Sequence, residues 1–142
     1  MLLISNYGNV NGIETKQNTP DYVENTIRMG YHCRIDILYS DQLYINNYPI
    51  TLDFILKYHK KLWICCLNIE ALKYLLEFEC FHIWYKDEML TNYGYIWGSP
   101  ISTKKAIYVI NSIDSIKNIQ ITCGHAICSD YISKVDFLDN RR

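Results

Sequence analysis

Apolar residues along the chain follow two periods. Leu2 to Ser5, Cys33 to Tyr39 and Leu62 to Leu67 alternate or run continuously apolar and predict β-strands. The segments between them carry helical spacing. After the polar stretch Asn6 to Gln17, Thr19 offers an N-cap with Pro20 at the first helical position and Asp21 in the first turn. Val23 and Ile27 then share one face and Gly30 takes the position just past the end, which predicts a helix of about ten residues. Gln42 to Asn46 reads as a hairpin partner of the preceding strand across the turn at Ser40-Asp41. Thr51 caps a second helix with Leu52, Ile55 and Leu56 in one stripe, and Asn68 caps a third with Ile69, Leu72, Leu75 and Leu76 on one side. Beyond it, Cys80 to Tyr85, Tyr93 to Trp97, Ala106 to Ile110 and Ile119 to Cys123 are strand-like, with little helix between them.

Strands that alternate with helices over short connections predict a parallel sheet with right-handed crossovers, an α/β fold. Seven or eight strands with three clear helices fit a compact TIM-barrel-like, mostly parallel sheet with reduced helices, although ordinary barrels of this kind need about 250 residues. An open parallel α/β sheet is the alternative. No linker, repeat or low-complexity stretch divides the chain, so residues 1–142 are expected to form one domain.

Composition narrows the function classes. The 142 residues are 49% hydrophobic and 20% charged, which suits a globular chain rather than a disordered one. Lys and Arg number 14 against 15 Asp and Glu, and no basic run exceeds two residues, so nucleic acid is not an expected partner. No apolar stretch approaches the roughly 20 residues of a membrane-spanning helix. The opening MLLISNYGNV has no basic run before its apolar residues, so no secretory signal is expected. The six cysteines form no CxxC pair and four lie in apolar runs, which predicts reduced core residues and a cytoplasmic location. A zinc group of Cys123, His125 and Cys128 would lack an evident fourth ligand. The 21 Ile, 13 Tyr and 12 Asn against 3 Ala and 3 Pro match an AT-rich coding sequence and need no functional cause.

Four stretches, LISNYGN (residues 3–9), QNTPDYVENTIRMGYHCRID (17–36), LYINNYP (43–49) and the pair WICCLNIEAL with YGYIWGSP, together resemble a known family. It is that of the glycerophosphodiester phosphodiesterases, within the phospholipase-C-like phosphodiesterases. The resemblance covers roughly the first 100 residues and implies a TIM-type barrel with its site at the C-terminal ends of the strands. In that family the first strand ends in His-Arg-Gly, the second carries Glu-x-Asp, and a Gly-His-Asp follows. Two histidines would move protons and the carboxylates would hold a divalent cation.

This chain departs from the pattern at the chemical positions. Asn6 and Tyr7 stand for His-Arg, Arg34-Ile35-Asp36 for Glu-x-Asp, and Asn46-Asn47-Tyr48 for Gly-His-Asp. Cys65 and Leu67 occupy inward positions where relatives carry His and Lys, and Tyr85 replaces a further inward His. Asn transfers no proton, and an arginine repels a cation. The resemblance therefore implies a catalytically degenerate phosphodiesterase-like barrel without cofactor, acting as a binding or structural protein. Its ligand-binding candidates are Arg34, Asp36, Asn6, Asn47 and His32, with Asp36 the one retained metal ligand and Ser5 beside them at the mouth. Arg34 either pairs internally with Asp36 or grips a small phosphate-type anion. The partner is otherwise open, a small ligand or another protein.

The alternative is an active metal-dependent phosphodiester hydrolase with a rearranged site. Asp36 would regroup with Asp87 or Asp130 around Mg²⁺ or Ca²⁺, with His32 or His125 as acid and base. A third reading gives Cys65 a nucleophilic thiol. His59 and His82 are expected to face outward or toward solvent.

Overall fold

The computed structural model of the chain describes residues 1–121 and 123–139. In order the elements are β1 (Leu2–Asn6), α1 (Pro20–Arg28), β2 (His32–Ser40), β3 (Gln42–Ile45), β4 (Tyr48–Pro49), α2 (Leu52–Lys57) and β5 (Leu62–Cys66). Then follow α3 (Ile69–Leu76), β6 (His82–Tyr85), β7 (Ile96–Trp97), β8 (Ala106–Val109), α4 (Ile113–Lys117), β9 (Ala126–Ser129) and α5 (Ile132–Asp139).

Local chemistry sets the helix starts. The Thr51 hydroxyl accepts the Phe54 N–H, and the Asn68 side chain accepts that of Ala71 at 3.0 Å. Thr19 stands at the start of α1 as expected, but its hydroxyl donates to the Lys16 carbonyl instead of capping. The helix ends where Gly30 takes a φ of 101°, a conformation that costs glycine little.

Among the described residues seven strands are parallel and lie in the order β6-β5-β2-β1-β9-β8-β7, while β3 and β4 form an antiparallel hairpin on the far end of β2. Counting only the parallel strands, each pairs with its predecessor in the chain and the last pairs with the first. Among the described strands the single exception is β6 with β7, so the sheet is largely parallel but is not closed as the expected TIM-type barrel would be. It nevertheless curls. In a flat sheet β6 and β7 would stand about 29 Å apart at roughly 4.8 Å per strand. Yet the Trp84 and Trp97 rings on these two strands stack with centroids 4.3 Å apart.

The loop between β6 and β7 fills the gap. Asn92 serves the β6 edge in place of a strand: its side chain accepts the Ile83 N–H and donates to the Phe81 carbonyl, and its own N–H donates to the Ile83 carbonyl. On the other side the Trp97 N–H donates to the Met89 carbonyl, and Leu90 bridges Ile96.

Curling gives the sheet an inner and an outer face. Cys33, Ile35 and Ile37 of β2 and Leu62, Ile64 and Cys66 of β5 are buried in the outer cluster, with Val23 and Ile27 of α1 and Ala71 and Leu75 of α3. A second outer cluster joins Ile127 of β9 to Ile116 of α4 and Ile132 and Val135 of α5. The inner face holds Ile4, Trp63, Cys65, Trp84, Trp97, Ile107, Ala126 and Cys128. The burial of both faces explains why the short β9 run is apolar from Ala126 to Cys128 without alternation.

The last third departs from the sequence expectation. The final strand is β9 rather than Ile119 to Cys123: Ile119, Gln120, Ile121 and Cys123 take no strand conformation, and Thr122 lies outside the described residues. Two helices, α4 and α5, lie where almost none is expected. No helix among the described residues is long and apolar enough to cross a membrane. All six cysteines are free.

Candidate functional site

Register brings the candidate residues together at the C-terminal ends of the parallel strands. Asn6 on β1 pairs with Arg34 on β2, and Asp36 pairs with Cys65 on β5, which in turn pairs with Trp84 on β6. Asp130 follows directly on β9. Since alternate residues of a strand share a face, Asn6, Arg34 and Asp36 all project inward with Cys65 and Trp84.

These side chains satisfy one another. The Arg34 Nη2 and Nε donate to Asp36 Oδ1 at 3.1 and 3.3 Å, and Nη1 donates to Asn6 Oδ1 at 3.5 Å. Asn6 passes the chain on through its amide nitrogen, which donates to Asp130 Oδ1 at 2.9 Å. Asn9 donates to the same oxygen and to Gln17. The remaining Asp36 oxygen accepts the Tyr7 hydroxyl at 2.9 Å. Tyr7 reaches it from a left-handed backbone, φ 59°, a conformation that costs a non-glycine residue about 1–2 kcal/mol. Gly8 behind it approaches Tyr22 so closely that an added Cβ would lie 2.9 Å from that ring.

Aromatic faces enclose the guanidinium. The Arg34 Cζ lies 4.7 Å from the Tyr7 ring centre, 5.7 Å from Trp97 and 5.9 Å from Trp84, within the range of cation–π attraction. Burial works against this charge, but Asp36 ahead of Tyr7, Cys65 and Cys128 outweighs it, and the Arg34 pKa lies above the ordinary arginine value. Burial, followed by the Asp36 charge, raises the Tyr7 hydroxyl well above the usual phenol range. The Cys65 thiol is pushed up to about 11 by burial and then by Asp36, which disfavours the thiolate that a nucleophile needs.

Several sequence candidates fall elsewhere. Ser5 lies on the other face of β1 from Asn6, its hydroxyl donating to the Asn9 carbonyl. Asn47 is an exposed residue of the β3–β4 turn and joins no part of the network. Tyr85 has the parity of Ile83, which is in the outer cluster, so the inward position on β6 belongs to Trp84. Cys65 and Leu67 do face inward.

His32 projects inward but from the opposite, N-terminal end of β2, four residues and about 13 Å below Asp36 at 3.3 Å per residue. His125 is at that same end, its N–H donating to the Ala106 carbonyl and its carbonyl accepting the Leu2 N–H. Neither histidine reaches the mouth. His82 faces inward beside Trp63 rather than outward, a position hidden by the continuous apolar run around it.

Asp130 is buried and engaged, and Asp87 is exposed beyond the end of β6. Among the described residues no three His, Cys, Asp or Glu side chains gather closely enough to hold a metal ion. The Cys123, His125 and Cys128 spacing does not converge either: Cys128 is fully buried at mid-strand, while the His125 ring packs on Tyr95.

The arrangement is thus a braced polar end. It offers one cation whose donors already meet a carboxylate and an amide, and two carboxylates that already accept. Comparison with known proteins finds no matching family model, no matching curated protein and no matching solved structure.

Proposed function

We propose that this chain is a non-hydrolytic domain of the phosphodiesterase-barrel type, in which the former catalytic mouth has become an internal brace and the protein acts by binding. The observation that carries the reading is the Arg34–Asp36 contact: a permanent cation sits against the one carboxylate of the Glu-x-Asp pattern that remains. A divalent cation entering there would meet the guanidinium at close range. Asn6 and Asn9, which transfer no proton, take up Asp130, and the candidate acid–base histidines, His32 and His125, are at the other end of the sheet.

The strand order supports the kinship, because each parallel strand neighbours its predecessor and the last returns to the first, as in a singly wound barrel short of one ladder. An anion arriving at the mouth would have to compete with Asp36 for Arg34. The brace therefore favours a structural role for this end.

The test is hydrolysis of an aryl phosphodiester by the purified chain with Mg²⁺, Ca²⁺ or Mn²⁺. The expected rate is that of buffer and metal alone. Turnover that disappears in Asp36→Asn, while that variant stays folded, would establish the alternative of a rearranged hydrolase.

A further inference from the structure

The chain has four histidines, and none lies at the mouth. Three surround Trp63 at the N-terminal end of the inner face. Its indole N–H donates to His32 Nδ1 at 3.2 Å, its ring stacks on His82 with centroids 4.2 Å apart, and the His125 ring meets it edge-on at 5.8 Å. The fourth, His59, lines a groove that opens beside His82.

That groove has the chemistry of a ligand site. Its volume is about 520 Å³, inside the range of roughly 300–1,000 Å³ typical of small-molecule sites. Lys60 and Lys105 line it together with Tyr93, Tyr95 and His82, and no carboxylate does. The chain as a whole carries a net charge of −1, so two lysines in a lining that has no carboxylate are a local excess. Among the described residues neither lysine stands in an ion pair, unlike Arg28 with Glu24 and Arg34 with Asp36. The Lys105 ammonium instead lies 4.4 Å from the centre of the Tyr95 ring.

His82 gives an independent sign. Its ring is fixed by Trp63 below and by the Tyr93 edge at 5.2 Å, yet its Nδ1 is buried without a hydrogen-bond partner. Buried polar atoms nearly always find partners, and an unpaired one is costly. Burial, then the neighbouring His125 and His59, holds the His82 pKa below its ordinary value.

We infer that this groove binds a small aromatic phosphate, with its planar ring against the exposed Tyr93 and its phosphate between Lys60 and Lys105. Two lysines suit a dianion, and the exposed Tyr93 ring suits a flat ring. A nucleoside monophosphate has both parts and a fitting size. The site is at the opposite end of the sheet from the Arg34 brace, so it stands whether or not the mouth proves inert.

Titration calorimetry with adenosine 5′-monophosphate, inorganic phosphate and adenosine tests it. The expected dissociation constant for the monophosphate is below about 1 mM, with both fragments at least tenfold weaker. Lys60→Gln and Lys105→Gln change exposed residues and leave the fold intact, and each should weaken binding about tenfold. Tyr93→Leu should weaken it comparably through loss of stacking, whereas Lys117→Gln on α4, the same change of charge on another face, should leave it unaltered. No binding at about 5 mM monophosphate would overturn the inference. So would inorganic phosphate binding as tightly as the nucleotide, or an equal loss in Lys117→Gln and Lys105→Gln.

Discussion

Arg34 and Asp36, two residues apart on β2, hold each other across 3.1 Å with under a fifth of either side chain exposed. A strand places such a pair on one face, but only the curl of the sheet surrounds it with Tyr7, Trp84 and Trp97. Most ion pairs at a protein surface contribute little, whereas a covered charge that loses its partner is costly.

Arg34→Leu should accordingly destabilise the chain by about 3 kcal/mol in urea unfolding, because it strands the Asp36 carboxylate. Removing both charges in Arg34→Leu/Asp36→Leu should recover more than half of that loss. A single variant within about 0.5 kcal/mol of the native chain would show a solvated surface pair instead.

Stability should also depend on pH through His32. The Trp63 indole can only donate, so the His32 nitrogen that it faces is unprotonated in the folded chain. Burial, then Lys61, His125 and His82, pushes the His32 pKa down to about 4, against about 6.5 in an unfolded chain. Between these values the unfolded state binds more protons. Stability is therefore intact above about pH 6.5 and falls as the pH drops toward 4. The expected loss is about 2 kcal/mol after allowance for solvent screening. Asp136, which shares the crevice beside His32 and Lys61, is engaged by the Tyr31 hydroxyl at 3.0 Å. Melts from pH 7 to 4 should show a shallower decline in His32→Gln than in the native chain; equal slopes would remove His32 from the explanation.

Asn92 is the third test. Replacing it with alanine removes two side-chain hydrogen bonds from the β6 edge and should cost about 2 kcal/mol by denaturant unfolding. The uncovered edge should also promote association at high concentration, visible by light scattering. An Asn92→Ala chain as stable and as monodisperse as the native one would mean that the loop does not hold the gap.

What the sequence made legible is what depends on neighbours along the chain. Thr51, Asn68 and Gly30 mark helix boundaries because capping and left-handed closure are local. The alternation of Cys33, Ile35 and Ile37 against Arg34 and Asp36 fixes which face is inner as soon as one face must be covered by helices. The less legible parts depend on partners distant in sequence. Ile119 to Cys123 alternates as a strand should, but the place beside β1 is taken by Ala126 to Ser129, whose burial on both faces leaves no alternation to read. Tyr85 and Trp84 differ by one residue of register, which is enough to exchange inner and outer faces. Asn92 carries no signal at all in a single sequence, since its partners belong to an edge that exists only because β6 and β7 fail to pair.

The most direct measurement for the central claim is thermal melting of the native chain and of Arg34→Glu, each with and without roughly 10 mM Mg²⁺. If Arg34 stands where a metal-ligating carboxylate once stood, the native melting temperature should move by less than about 1 °C with Mg²⁺. Arg34→Glu should melt lower, because two like charges then share one face with Asp36, and should regain part of the loss when Mg²⁺ is added. Native protein stabilised by Mg²⁺, with the effect lost in Asp36→Asn, would contradict the account.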